Sequence, residues 1–301
     1  TSVQIRAVVE RNWTNPGSGV TGDIWFDDIT FSPLQADAYS ETDAVLSNKA
    51  IYTTLENSDL KLQIGIDNNK VYLTALQNKA NNQNWVNGAT PIPLLPKVNN
   101  QTISWTYQEQ TAEEGHFIAT FASGNYLLKW HAQLQESGPL HIWQELVNNS
   151  NSNVNVSAQD MQGIDFQVNA PNKTTLWRFN RSRFNNGLDG NFTTGVLKQA
   201  IGTSFYQLSQ IENSWLVSTG ELPLVVLEVG GEIGGSVSIP SGPSTGSGTE
   251  GLYLAHDWNF GLMEVQTQSN AKRIRLRANL GLSTEEITCE KKTNWHLPGV
   301  F

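Results

Sequence analysis

Cysteine is nearly absent: Cys289 is the only one in 301 residues. A lone thiol cannot close an internal disulfide, and it excludes a cysteine-rich metal site. Long apolar runs are absent as well. Nothing approaches the roughly eighteen consecutive apolar residues of a membrane-spanning helix, and the first residues carry no signal-peptide pattern. Grouped basic charge is missing: 19 Lys and Arg stand against 28 Asp and Glu, a net charge of −9. That balance argues against nucleic acid or an anionic membrane surface as the main partner, because phosphate binding needs clustered cations. A neutral ligand suits it better. The histidines His116, His131, His141, His256 and His296 show no H-x-H or H-x-x-x-H spacing, so a zinc site would have to be assembled from distant strands. There is no G-x-S-x-G elbow and no Walker loop, and the glycine-rich run GGEIGGSVSIPSGPSTGSG has no helix after it to cradle a phosphate. A sustained helical period is missing too.

What is present is a period of two in a globular composition, 38% hydrophobic and 16% charged. YLLKWHAQL sets Leu128, Trp130, Ala132 and Leu134 on one face and Lys129, His131 and Gln133 on the other, and KRIRLRANL sets Ile274, Leu276 and Ala278 against Arg273, Arg275 and Arg277. Similar runs recur at LKLQIGI, KVYLTAL, LHIWQELV, GIDFQVN, NSWLVS and LPLVVLEV, separated by turn-forming pairs such as Asn68-Asn69. The expected fold is all-β, one large two-sheet antiparallel sandwich over residues 51–290. Residues 1–34 supply two extra strands that cannot bury a face alone, and 35–50 form a polar connector with room for a short helix. The stretch PSGPSTGSGTEG, residues 240–251, reads as a long loop within the sandwich. The three arginines form a solvated or acid-paired face, or a docking face for another domain.

Ten tryptophans are the compositional excess. Buried, they fill large β cores; exposed, they offer flat apolar rings against which the C–H faces of sugars stack. Paired acids are poor glycosidase dyads here, because adjacent residues of a strand point to opposite faces; this applies to Asp27/Asp28, Glu113/Glu114 and Glu285/Glu286, while Asp257/Glu264 stays open. His141, Trp143 and Glu145 share one strand face at i, i+2 and i+4.

Two resemblances follow from these stretches. GDIWFDDITFSPL resembles the closing strand of jelly-roll carbohydrate-binding modules, which implies a structural calcium at Asp27 and Asp28; two exposed acids at a strand end is the plainer alternative. ENSDLKLQIGIDNNKVYLTALQNK, LLKWHAQLQESGPLHIWQELVNNSNSNVNV and GLYLAHDWNFGLMEVQ together resemble the N-terminal supersandwich of glycoside hydrolase family 36 α-galactosidases, of the galactose-mutarotase-like type. That resemblance implies a secreted or periplasmic, carbohydrate-associated accessory region. It implies no catalytic residue within it, no cofactor beyond the calcium, and a partner in a catalytic (β/α)8 barrel, with 291–301 (KKTNWHLPGVF) as the start of the linker towards it. The expected sugar-contacting residues are His256, Asp257, Trp258 and Asn259, together with Trp143. A turn held by its own Asp and Asn hydrogen bonds, with Trp258 packed inward, is the alternative for the first four. Two further readings remain: a mutarotase-like epimerase using His116, His131 or His141 with Glu145, and a polysaccharide-lyase-type sandwich.

Overall fold

The computed structural model describes residues 44–86, 88–136, 138–157, 160–169, 174–180, 183–184, 192–193, 196–201, 207–212, 221–229, 250–255, 262–267, 273–279 and 286–301. The chain divides into two units, Thr1–Tyr39 and Ser40–Phe301, and the described residues all belong to the second. The strands expected in 1–34, with Asp27 and Asp28, lie outside the described residues, as do NSWLVS and most of the 240–251 stretch.

Among the described residues every element is a strand. In chain order they are β1 (Ile51–Glu56), β2 (Leu60–Asp67), β3 (Lys70–Asn78), β4 (Thr90–Ile92), β5 (Lys97–Val98), β6 (Gln101–Thr102), β7 (Thr106–Glu113), β8 (His116–Ser123), β9 (Tyr126–Leu134), β10 (Leu140–Asn148), β11 (Val154–Ser157) and β12 (Gln162–Asn169). They continue as β13 (Thr174–Asn180), β14 (Arg183–Phe184), β15 (Phe192–Thr193), β16 (Val196–Ile201), β17 (Gln207–Glu212), β18 (Glu221–Val229), β19 (Glu250–Ala255), β20 (Leu262–Thr267), β21 (Arg273–Asn279), β22 (Glu286–Cys289) and β23 (Thr293–Val300). Four sheets dominate, in the orders β1-β2-β3-β4, β23-β10-β9-β8-β7, β12-β21-β20-β17 and β16-β13-β18-β19, and their pairings are antiparallel. The protein is an all-β sandwich.

The alternation read from the sequence is the alternation that buries. Leu128, Trp130, Ala132 and Leu134 of β9, Phe117, Ala119 and Phe121 of β8, and Ile142 and Leu146 of β10 all enter one core. The same core takes Leu62, Ile64 and Leu73 from the first sheet and Leu176, Val225, Leu227 and Leu254 from the β13 sheet. Two polar residues enter it with their partners. Gln144 accepts from the Leu95 backbone N–H at 3.0 Å and donates to the Pro93 carbonyl at 3.2 Å. Asn148, fully buried, donates to the carbonyls of Ser152, Cys289 and Glu290. Each would otherwise cost a few kcal/mol as an unsatisfied buried amide.

The Asn68-Asn69 pair turns β2 into β3 with both residues at positive φ, 48° and 62°, the left-handed conformation that a two-residue hairpin turn needs and that Asn tolerates. On β21 the register sets Arg277 opposite Asp165 of β12 and Glu264 of β20.

One expectation is met only over part of its length and one is corrected. The described part of the connector, residues 44–50, is not helical: Ala44 bridges Ala89, and the Asp67 carboxylate captures the backbone N–H and hydroxyl of Ser47 at 2.9 and 2.6 Å. The segment 291–301 does not begin a linker. Thr293–Val300 is strand β23, paired with β10 at the edge of the five-stranded sheet, because Leu297 and Val300 point into the core and are 2% and 1% exposed.

Candidate functional site

Strand β10 sends Ile142 and Gln144 inward, and its period of two sends His141, Trp143 and Glu145 to the other face. Antiparallel pairing sets His131 of β9 opposite Trp143, Lys129 opposite Glu145, and His296 of β23 opposite Glu145 from the other side. One strand further, β8 contributes His116. Four of the five histidines in the sequence thereby meet around one indole.

The rings form a stack. His131 lies 4.6 Å from Trp143 with the planes 7° apart, and His141 lies 4.5 Å away at 25°. His116 and His296 approach the same indole at 5.3 and 5.6 Å, and Phe301 covers His141 at 4.3 Å. Each such contact contributes about 0.5–1.5 kcal/mol beyond the area it buries.

Polar groups run through the stack in a line. His116 Nε2 and His131 Nδ1 are 3.0 Å apart, and His131 Nε2 faces Glu145 Oε2 at 3.6 Å. Asn294 donates to Glu145 Oε1 at 2.8 Å, and the Lys129 ammonium lies 3.5 Å from the same oxygen. The His131 side chain is 6% exposed and that of Glu145 17%. The 3.6 Å approach is too long for a hydrogen bond, so the buried His131 Nε2 has no hydrogen-bond partner among the described residues.

Burial, and then the neighbouring His116, push the His131 imidazole down to about 4; Glu145 pulls the other way and loses. Burial likewise holds His116 below the ordinary imidazole value. For Glu145 burial is the largest single influence and pushes upward, but the Asn294 hydrogen bond, Lys129 and His131 together outweigh it and leave the carboxyl below its ordinary value. Near neutral pH the site therefore holds one carboxylate and two neutral imidazoles in contact.

Backbone features at the β10–β23 edge make room for this packing. The register slips between Ile142 and Gln144, where Val300 and Leu297 are their partners. The extra residue sits in the bulge that contains Gly299, and a Cβ there would meet the Ile142 carbonyl, Trp143 Cβ at 2.7 Å and His141 Nε2 at 3.0 Å. Beyond the bulge, Phe301 exchanges both backbone hydrogen bonds with Ala255, at 2.8 and 2.9 Å. An apolar crevice lies beside it, walled by Leu60, Trp85, Leu140, Tyr253 and Phe301.

Of the residues expected to touch sugar, Trp143 lies at the centre of this stack. His256, Asp257, Trp258 and Asn259 lie outside the described residues, although the chain enters them from Ala255, the partner of Phe301. His116, His131, His141 and Glu145, named for the epimerase reading, are brought together. Lys129, Asn294, His296, Gly299 and Phe301 were not singled out; alternation in TNWHLPGVF was the available signal for Asn294 and His296, and the bulge takes Gly299 and Phe301 out of that period. Among the described residues no group of three or more His, Cys, Asp or Glu could hold a metal ion.

No family model matches the chain, and no curated protein matches it by sequence. Solved structures do resemble it in fold. The galactosidase domain of the α-galactosidase-sucrose kinase AgaSK is 9% identical with a TM-score of 0.52, covering 84% of this chain and 41% of that one. The α-galactosidase from Lactobacillus brevis is 8% identical with a TM-score of 0.55, covering 85% of this chain and 40% of that one. At these identities the likeness concerns the fold alone: the chain is a β-sandwich that spans about two fifths of the length of the α-galactosidase structures it resembles.

Proposed function

We propose that the chain is a carbohydrate-binding, non-catalytic β-sandwich region of a secreted or periplasmic glycoside hydrolase, and that the Trp143 face of the five-stranded sheet contacts the sugar. The observation that carries this reading is the half-buried indole edged by His116, Glu145, Asn294 and His296. With imidazoles stacked on the indole, the group offered to a pyranose is its apolar edge, and that edge with its hydrogen-bonding border suits ring C–H groups and hydroxyls. The acidic net charge favours a neutral ligand, and the α-galactosidase fold likeness supports the enzyme class. In this proposal His256, Asp257, Trp258 and Asn259 also contact the sugar, and the partner is a catalytic barrel.

A glycan-array and affinity-gel screen tests the reading, run with the Trp143→Leu and Trp258→Ala variants. Retention on neutral glycans that falls at least tenfold with Trp143→Leu supports it. Equal retention of that variant, or no retention of the parent chain, refutes the assignment of this face.

The epimerase reading draws on one specific observation, the juxtaposition of His131 with Glu145. Mutarotation moves protons at two neighbouring oxygens, the anomeric hydroxyl and the ring oxygen of one carbon, so it asks for an acid and a base side by side, as His131 and Glu145 are at 3.6 Å. Polarimetry of galactose and glucose solutions decides the matter: mutarotation above the buffer rate, lost in Glu145→Gln, would establish turnover.

A further inference from the structure

We infer that Glu145 and His131 are positioning residues that fix His116 as a hydrogen-bond acceptor, through Nδ1, for a hydroxyl group of the ligand. The chain of constraint begins at the half-buried carboxylate. Glu145 is held by Asn294 and Lys129, and its Oε2 lies 3.6 Å from His131 Nε2. A ring nitrogen facing a carboxylate in a water-poor site carries the proton, because a lone pair there would repel the anion. His131 is then the Nε2–H tautomer, with its lone pair on Nδ1. His116 Nε2 stands 3.0 Å from that lone pair and must donate to it. A neutral imidazole has a single N–H, so once Nε2 donates, His116 Nδ1 can only accept.

The surroundings keep this assignment in place. Burial disfavours the charged form of both rings, so each has one proton to place. Among the described acids, Glu145 is the one that acts on His131. The other charged or titratable groups facing the pair are Lys129 on β9, His141 on β10, His296 on β23, and Glu113, the register partner of His116 on β7. Trp143 stacks on both imidazoles and holds their planes, which hinders the ring flips that would put a carbon in the place of each nitrogen. The acceptor is thus specified three residues deep, from the Glu145 carboxylate through His131 to His116. The identity of the hydroxyl donor as a sugar rests on the carbohydrate reading; the tautomers do not.

The test is a long-range proton–nitrogen correlation spectrum of the ¹⁵N-labelled chain at neutral pH, compared with Glu145→Gln. The expected result in the parent chain is a proton on Nε2 of both His131 and His116. In Glu145→Gln the new amide can donate to His131 Nε2, which moves the His131 proton to Nδ1 and, in turn, the His116 proton to its own Nδ1. A parent chain with the His131 proton on Nδ1 overturns the inference, and that spectrum needs no variant to fold. A second readout is the rate at which diethyl pyrocarbonate modifies the His116 peptide, measured by mass against free N-acetylhistidine. We expect that rate to fall about tenfold in Glu145→Gln as Nδ1 takes the proton and its lone pair is no longer available; an unchanged rate overturns the inference. Loss of glycan binding with both tautomers intact would instead count against the carbohydrate reading alone.

Discussion

His131 makes the protein sensitive to mild acid, and the size of the effect follows from its burial. The folded state holds this imidazole at about 4 against an ordinary 6.5, chiefly by desolvation. Between those values the unfolded chain binds a proton that the folded chain refuses, so stability falls as pH falls across the window from about 6.5 to 4. The whole gap corresponds to about 3 kcal/mol, of which about 2 kcal/mol is lost between pH 7 and pH 5. Urea unfolding followed by tryptophan fluorescence at pH 7, 6 and 5 measures it, with His131→Gln as the comparison. The variant starts from lower stability because it loses the stack on Trp143, so the quantity to compare is the slope against pH. His116, also held down by burial, titrates in the same sense and remains in the variant. Glu145 contributes stability that is lost only below its ordinary 4.5, under the measured range. Parallel pH slopes for the two proteins would refute the claim that a buried neutral His131 controls this window.

Other changes report on neighbouring links. Gly299→Ala pushes a methyl against the Ile142 carbonyl and Trp143 Cβ, and should cost about 1–3 kcal/mol and shift Trp143 emission; a variant as stable as the parent in urea would show that the bulge relaxes. Gln144→Ala leaves the buried Leu95 N–H and the part-buried Pro93 carbonyl without this partner, and should lower stability by about 2–4 kcal/mol, checked by the unfolding midpoint. Asn148→Ala removes three donated hydrogen bonds that tie β10 to Ser152 and to the end of β22; hydrogen exchange of the β22 amides should accelerate at least tenfold, and unchanged exchange would mean the β11–β22 pair stands without it.

The fold was legible wherever one strand's pattern carried the information, and the site only in part, because its contacts between strands are a product of register. The alternation in YLLKWHAQL is enough to bury Leu128, Trp130, Ala132 and Leu134, and the i, i+2, i+4 spacing of His141, Trp143 and Glu145 correctly puts all three on one face. The same alternation puts His131 on the polar side, yet the residue is buried. Burial there comes from Trp143 and His116, which belong to adjacent strands and arrive through turn geometry that no periodicity encodes. TNWHLPGVF misled for a local reason: Pro298 and Gly299 resemble the punctuation of a linker, whereas in the sheet they occupy a bulge on an edge strand, one of the few places where a strand accepts them. That bulge is also what the site requires. Without the extra residue, the β23 backbone would keep regular register past Ile142, and a side chain in place of Gly299 would collide with Trp143 and His141. The feature that hid the strand from sequence reading is therefore the one that lets four imidazoles and an indole share a single sheet face.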